Sequence, residues 1–215
     1  MRAPADFIRA ETALASPLLV PEIKLHLASE MLPIWQATEA DLAKRDLPPP
    51  YWAFAWPGGQ ALARHLLDHR DLIAGRRVLD FASGSGITAI AAAMAGAPTV
   101  FAAEIDRFAL AAIALNAEAN GVRVDLIAED VLDATGEWEV ILAGDVCYER
   151  PMAERVAQWL AQRARAGTLV LLGDPGRSYL PGSGLVEIAR YDVPTSVDLE
   201  DRTLRETTVW RWEGG

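Results

Sequence analysis

Apolar positions along the chain fall into short runs punctuated by glycine, proline and acidic residues. From residue 78 onward the runs switch between strand and helix period in a regular order. Residues 78–81 read Val-Leu-Asp-Phe, a short apolar strand. After a turn carrying Gly84 and Gly86, residues 87–97 are alanine-rich with strong helix formers almost throughout. Residues 99–103 read as a second buried strand ending in Glu104, and 107–120 as a helix closed by Gly121. A third strand is expected over 122–128, ending in Glu129-Asp130, and a fourth over 138–143, running into Gly144-Asp145. Beyond it the pattern predicts a helix over 152–165, a fifth strand over 168–173, an irregular turn over 174–182, and two alternating strands over 185–193 and 205–212. Strand, helix, strand at this spacing means right-handed parallel units. The expectation is an α/β fold of three layers and seven strands, mostly parallel, with one of the last two strands inserted antiparallel.

The first 50 residues follow a different pattern. Residues 5–15, with Phe7, Ile8 and Leu14 among charges, suit a short amphipathic helix, which Pro17 interrupts. Residues 21–28 alternate Ile23, Leu25 and Leu27 against Lys24 and His26, as in a strand with one wet face. Residues 31–35 read as extended or loop, and Thr38 suits the cap of a short helix reaching Asp46. The triple proline at 48–50 is a stiff link that excludes helix. Residues 1–50 are therefore expected to be an extension packed on a core domain of 51–215. Residues 51–60, Tyr-Trp-Ala-Phe-Ala-Trp-Pro-Gly-Gly-Gln, are the most aromatic patch and lead into a helix over 59–68.

Composition narrows the class. With 215 residues, 51% of them hydrophobic, the chain can bury a real core. No run approaches the roughly 20 apolar residues that span a bilayer, and residues 1–6 lack the look of a secretory start, so a cytoplasmic protein is expected. A net charge of −10 argues against nucleic acid as a partner. The single cysteine, Cys147, excludes an internal disulfide and, with no basic neighbour in sequence, is expected to be a buried structural thiol. His65 and His69 are four apart on a helix, but no acid completes a metal pattern. They are expected at a solvated helix edge, and no metal is expected.

The candidate chemistry gathers at strand ends. Asp80 is a carboxylate at the tip of a buried strand, and such a group needs a cationic or hydrogen-donating partner. Two ligands suit the turn that follows. Gly84-Ser85-Gly86-Ile87-Thr88-Ala89 matches the dinucleotide fingerprint, with Glu104 where a ribose-binding acid would stand. The glycines come late after the strand, however. The pattern Asp80-x-Ala82-x-Gly84-x-Gly86 resembles the first motif of the class I S-adenosylmethionine-dependent methyltransferases, which usually carry glycine where this chain has Ala82. Asp145-Val146-Cys147-Tyr148 is similar to the Asp-x-x-Tyr signature of their family 16 type. Trp56-Pro57-Gly58 resembles that type's aromatic turn beside the cofactor, and Gly173-Asp174-Pro175-Gly176-Arg177 joins them.

The resemblance covers residues 50–213 and implies a Rossmann-like methyltransferase fold with S-adenosylmethionine as cofactor. It implies that Ala82, Gly84 and Gly86 wrap the methionine end, that Asp80 holds its amino group, and that Glu104 holds the ribose hydroxyls. Asp130 is expected to face the adenine amine, with Glu129 as competitor, and Trp56 to lie beside the sulfonium. Asp145 and Tyr148, at the fourth strand's carboxyl end, are expected to border the transferable methyl: Asp145 orients the incoming amine and Tyr148 lines its channel. The implied reaction is N-methylation of a protein lysine, with the β-subunit of electron transfer flavoprotein as expected partner and a ribosomal protein as a second. A small-molecule N-methyltransferase acting on an amine or N-heterocycle is the alternative. A protein substrate predicts an open acidic groove at the carboxyl end of the sheet, contributed partly by residues 17–40.

Overall fold

The computed structural model describes residues 3–28, 49–134, 136–195 and 203–213. The chain begins with α1 (Pro4–Glu11), followed by β1 (Ala13–Ala15) and β2 (Leu25–Leu27), which pair antiparallel. The helix expected over 5–15 therefore stops early. The Thr12 hydroxyl donates back to the Ile8 carbonyl at 2.6 Å, and the chain then extends to pair with β2. The strand expected over 21–28 is confined to three residues, because Val20 to Ile23 turn on a 3.0 Å hydrogen bond. The segments expected at 31–35 and 38–46 lie outside the described residues.

A single 3-10 turn, Tyr51–Ala53, precedes α2 (Pro57–Asp68). Then follow β3 (Arg77–Phe81), α3 (Ile87–Met94), β4 (Thr99–Ala103), α4 (Arg107–Ala119), β5 (Asp125–Ile127), β6 (Val140–Gly144), α5 (Arg150–Arg165), β7 (Leu169–Asp174), β8 (Leu185–Pro194) and β9 (Leu204–Trp212). Seven strands form one sheet in the order β5-β4-β3-β6-β7-β9-β8, parallel through β7, with β9 antiparallel to both its neighbours. This is the expected α/β architecture. The third parallel strand is shorter than the expected 122–128, since the Val122 N–H is still bonded to the Ala117 carbonyl at the end of α4.

The central strands are apolar at most positions because both faces are covered. Val78, Val140, Leu142 and Leu171 join the cluster under α2 and α3, while Leu79, Phe81, Ile141, Ala143, Val170 and Leu172 join the cluster under α5. Period-two alternation thus divides one strand between two cores. Val20, Ile23 and Leu25 from the N-terminal stretch are fully buried in the first cluster, beside Leu62 and Ile90. Two amides, Asn116 on α4 and Asn120 at its C-terminal cap, hold that stretch. Asn120 bonds both the N–H and the carbonyl of Lys24 at 2.9 and 2.6 Å, and Asn116 accepts from the His26 N–H at 2.7 Å while donating to the Ser85 carbonyl at 2.8 Å.

One helix-edge expectation is overturned. His65 is buried, 3.1 Å from the Tyr191 hydroxyl of β8, and burial holds its pKa down at about 4; only His69 faces solvent. The α2 face that carries His65 is covered by the added strands β8 and β9, which an isolated helix pattern does not reveal. Among the described residues no helix is long and apolar enough to cross a membrane.

Candidate active site

The turn after β3 is a run of left-handed residues. Ala82 has φ +51°, Gly84 +55° and Gly86 +81°. Alanine in that region is strained, and glycine relieves the strain while adding chain entropy to the unfolded state. Ala82→Gly is expected to stabilise the protein by about 1 kcal/mol and raise Tm by about 3 °C in scanning calorimetry. A Cβ built on Gly84 would meet nothing within 4 Å, so this turn faces open space at the carboxyl end of the sheet.

Asp80 lies beneath the turn with 2% exposure. The Ser83 hydroxyl and the Ala89 N–H both donate to its Oδ2, at 2.5 and 3.1 Å, and among the described residues no donor is recorded on Oδ1. Burial pushes its pKa up to about 7, against the pull of those two donors, and Glu104 adds to the rise. Among the described residues both donors thus fall on one carboxylate oxygen, beside an open left-handed turn. These residues fit a ligand carrying an ammonium group. At the tip of β4, Glu104 accepts from the Gly84 N–H at 3.1 Å through Oε2, and through Oε1 from the N–H groups of Ile105 and Asp106 at 2.8 and 3.1 Å. The adjacent tips of β3 and β4 are thereby tied together.

A second constellation stands at the tips of β6 and β7. Asp145, which follows Gly144, is left-handed with φ +57°, a region uncommon for residues other than glycine and more open to aspartate than to most. Its N–H donates to the Gly173 carbonyl at 2.9 Å. Oδ2 accepts from the Gly59 N–H at 3.1 Å, and Oδ1 from Arg177 Nη2 and Nε at 2.7 and 3.2 Å. Burial raises the Asp145 pKa to about 6, outweighing Arg177, and Asp174 raises it further. Asp174 Oδ1 in turn accepts from the N–H groups of Gly176 and Arg177 at 2.7 and 2.6 Å, which fixes the turn that presents Arg177.

This approach depends on glycine. Gly58 and Gly173 touch backbone to backbone, where α2 starts across the strand ends, and Pro57 in the first turn of α2 suits a helix start. The aromatic patch ends here as well. Half-buried Trp56 donates its Nε1–H to the Tyr51 carbonyl at 2.8 Å and lies under the Arg177 guanidinium, 5.7 Å from its ring centre. Tyr51 links it to Tyr148, with ring centres 5.6 Å apart, and Tyr148 is 44% exposed at the mouth. Burial raises the Tyr148 pKa, so the phenol stays neutral. Cys147, in the same loop, is buried, and burial with the nearby Asp174 and Asp145 pushes its thiol up to about 12.

The structure thus brings Trp56, Asp145 and Tyr148 together, and sets Asp80, Ala82, Gly84, Gly86 and Glu104 around the neighbouring strand tips. Asp130 makes its contacts elsewhere. It is exposed beyond the short β5, accepts from the Leu132 N–H at 3.0 Å and pairs with Arg155 of α5 at 2.9 Å. Sequence reading gave no role to Arg177, Ser83, Tyr51 or Gly58. The Gly-Asp-Pro-Gly-Arg run was the available signal for Arg177, since an acid followed three residues later by a donor suits a side-chain-held turn.

A family model for ribosomal protein L11 methyltransferase (PrmA) matches residues 61–170. The chain is 39% identical to the electron transfer flavoprotein beta subunit lysine methyltransferase of Xenopus laevis over 220 aligned residues, covering 98% of this chain and 87% of that protein. It is 38% identical to the human protein of the same name, over 93% of this chain and 78% of that one. Among solved structures, a magnesium protoporphyrin IX methyltransferase from Synechocystis with bound S-adenosylhomocysteine shares the fold, with TM-score 0.54, 14% identity, and coverage of 84% of this chain and 90% of that one. Glycine turn, strand-tip acids and near full-length similarity converge: the chain belongs to the S-adenosylmethionine-dependent methyltransferases, and within them to the family of the electron transfer flavoprotein β-subunit lysine methyltransferases.

Proposed function

We propose that the protein methylates a lysine of the β-subunit of electron transfer flavoprotein, acting in the cytoplasm on a protein rather than on nucleic acid. The observation that carries this reading is the buried Asp145 carboxylate at the β6 tip, bonded to Arg177, which lies over Trp56 in a ring cluster with Tyr51 and Tyr148, beside the strand that ends in the open turn over Asp80. The near full-length relatives named for that substrate support the choice of partner.

When bound, S-adenosylmethionine supplies an electrophilic methyl: the amine lone pair forms the new N–C bond, the C–S electrons stay on sulfur, and the methylated amine sheds a proton to water. The chain contributes alignment and desolvation, and no covalent nucleophile is needed. Asp80 would hold the ligand's amino group, Ala82, Gly84 and Gly86 would wrap its methionine end, and Glu104 would take the ribose hydroxyls. Asp130 or Glu129 would receive the adenine amine. At pH 7 a lysine of ordinary pKa is roughly one part in two thousand neutral, which adds a barrier of about 4 to 5 kcal/mol. The aromatic wall reduces that barrier by removing water from the ammonium. Asp145 accepts an N–H of the amine and aims its lone pair, and Tyr148 lines the approach.

Labelled S-adenosylmethionine with purified β-subunit tests the proposal. Label on a β-subunit lysine, located by mass spectrometry, is expected; label only in a protein-free filtrate of cell extract would establish a small-molecule acceptor instead. Asp145→Asn is expected to lower the alkaline plateau of kcat about tenfold while leaving S-adenosylhomocysteine affinity unchanged by calorimetry. Wild-type turnover in that variant would remove Asp145 from the reaction.

A further inference from the structure

The Asp145 carboxylate meets a fixed cation before any substrate arrives. Arg177 donates to Oδ1 through two nitrogens, and the side chains are 9% and 18% exposed. The Arg177 backbone N–H donates to Asp174 Oδ1, which fixes the turn that carries the residue, and the guanidinium lies over the Trp56 ring. With the Gly59 N–H on Oδ2, that oxygen keeps one acceptor direction for a further donor. An uncompensated buried carboxylate would attract an ammonium and hold its proton, whereas a guanidinium never gives up its own charge.

We infer that Arg177 is a positioning residue for the methyl-accepting amine: it keeps Asp145 as a charge-compensated acceptor, so that the site takes the substrate lysine as its neutral amine rather than as an ammonium. This rests on the reading of the chain as a protein-lysine methyltransferase. It reconciles two demands on Asp145. A carboxylate close to the amine orients it well, yet alone would stabilise the unreactive charged form. The ion pair keeps the acceptor and cancels the field.

Among the described residues, other charged and titratable groups also act on the pair. Asp174 faces it from the β7 tip, with Arg205 of β9 acting on Asp174, and Cys147 and Tyr148 face it from the loop after β6. From α2 the uncharged Gly59 N–H donates to it, while Glu104 and Glu149 act on Tyr148 at the rim.

The test is kcat against pH with the purified flavoprotein β-subunit as acceptor. Arg177→Gln is expected to move the rising limb of the profile up by about one pH unit, with a loss of about tenfold at pH 7 that recovers in alkali. Arg177→Lys, which keeps the charge, is expected to leave the limb in place. Asp145→Asn, which leaves Arg177 uncompensated, is expected to move it the opposite way. A structural role predicts equal loss at every pH, and that result, or unmoved limbs in both Arg177→Gln and Asp145→Asn, would overturn the inference. If Arg177→Gln fails to fold, the direction of the Asp145→Asn shift decides. If the wild type does not methylate the β-subunit, the proposed substrate fails. The pairing is then read by carbon-13 NMR: the Asp145 carboxyl should titrate higher in Arg177→Gln than in wild type, and an unchanged titration rejects it.

Discussion

Gly58→Ala is expected to lose about 3 kcal/mol of stability and about a hundredfold in kcat. A Cβ at this position would sit 2.2 Å from the Gly173 carbonyl oxygen, 2.6 Å from Asp145 Oδ2 and 2.8 Å from the Asp145 nitrogen. Two of those three atoms are backbone of a buried strand or its end, so no rotamer change relieves the clash. The start of α2 must then lift from the tips of β6 and β7. Lifting it carries the Gly59 N–H away from Oδ2 and shifts Trp56, which immediately precedes the helix. Stability and turnover therefore fall together, while the Asp80 end, on other elements, keeps its S-adenosylhomocysteine affinity. Thermal unfolding, calorimetry and single-turnover methyl transfer read the three quantities separately. Gly182→Ala is the control, because a Cβ there meets nothing within 4 Å, and its stability should stay within about 0.5 kcal/mol of wild type. A Gly58→Ala protein with wild-type Tm and turnover would mean that the glycine crossing does not set the site's geometry.

The parts of this arrangement that were legible in the sequence are those with local causes. The strand at 77–81, its glycine turn and the helix beyond announce themselves through period and glycine, and Asp80 through being a charge inside an apolar run. The tips of β4 and β6 were equally plain, since Glu104 and Asp145 each end such a run. What stayed hidden needs contacts between distant residues. Arg177 reaches Asp145 across 32 positions, and Gly59 reaches it across 86. Asn116 joins residues 26 and 85, which no periodicity couples. His65 looked solvated because an isolated helix pattern cannot tell which face the last two strands will cover. Strand ends were misjudged for the same reason. Val122 and Val124 have strand character, but the helix-end hydrogen bond to Ala117 claims the first of them.

Asp80→Asn is expected to produce opposite changes in binding and stability. In the free protein burial raises the Asp80 pKa to about 7, whereas an unfolded aspartate titrates near 4. A raised pKa in the folded state means that this group's contribution to stability is complete below about pH 4 and is lost as pH rises through 7. At pH 8 the ligand-free protein therefore carries a buried charge that favours unfolding, and Asp80→Asn, which keeps an acceptor for the Ser83 hydroxyl and the Ala89 N–H, should raise Tm there. Binding runs the other way. An ammonium ligand needs the carboxylate, so S-adenosylmethionine must expel a proton below pH 7, and wild-type affinity should fall towards tenfold per pH unit between about 7 and 5. The asparagine variant should show no such slope and at pH 7.5 should bind roughly thirtyfold more weakly, a loss of about 2 kcal/mol. The two affinities converge in acid, where the wild type has itself become neutral. Calorimetry in two buffers of different ionisation enthalpy reads the proton release directly, and Tm at pH 8 reads the stability gain. Parallel pH slopes in wild type and variant would remove Asp80 from the cofactor's amino group. A lower Tm at pH 8 in the variant would mean that the buried carboxylate is stabilised by a partner other than its ligand. If both expectations hold, the strand-tip acid is kept at a cost to the empty fold, and the bound cofactor is what neutralises it.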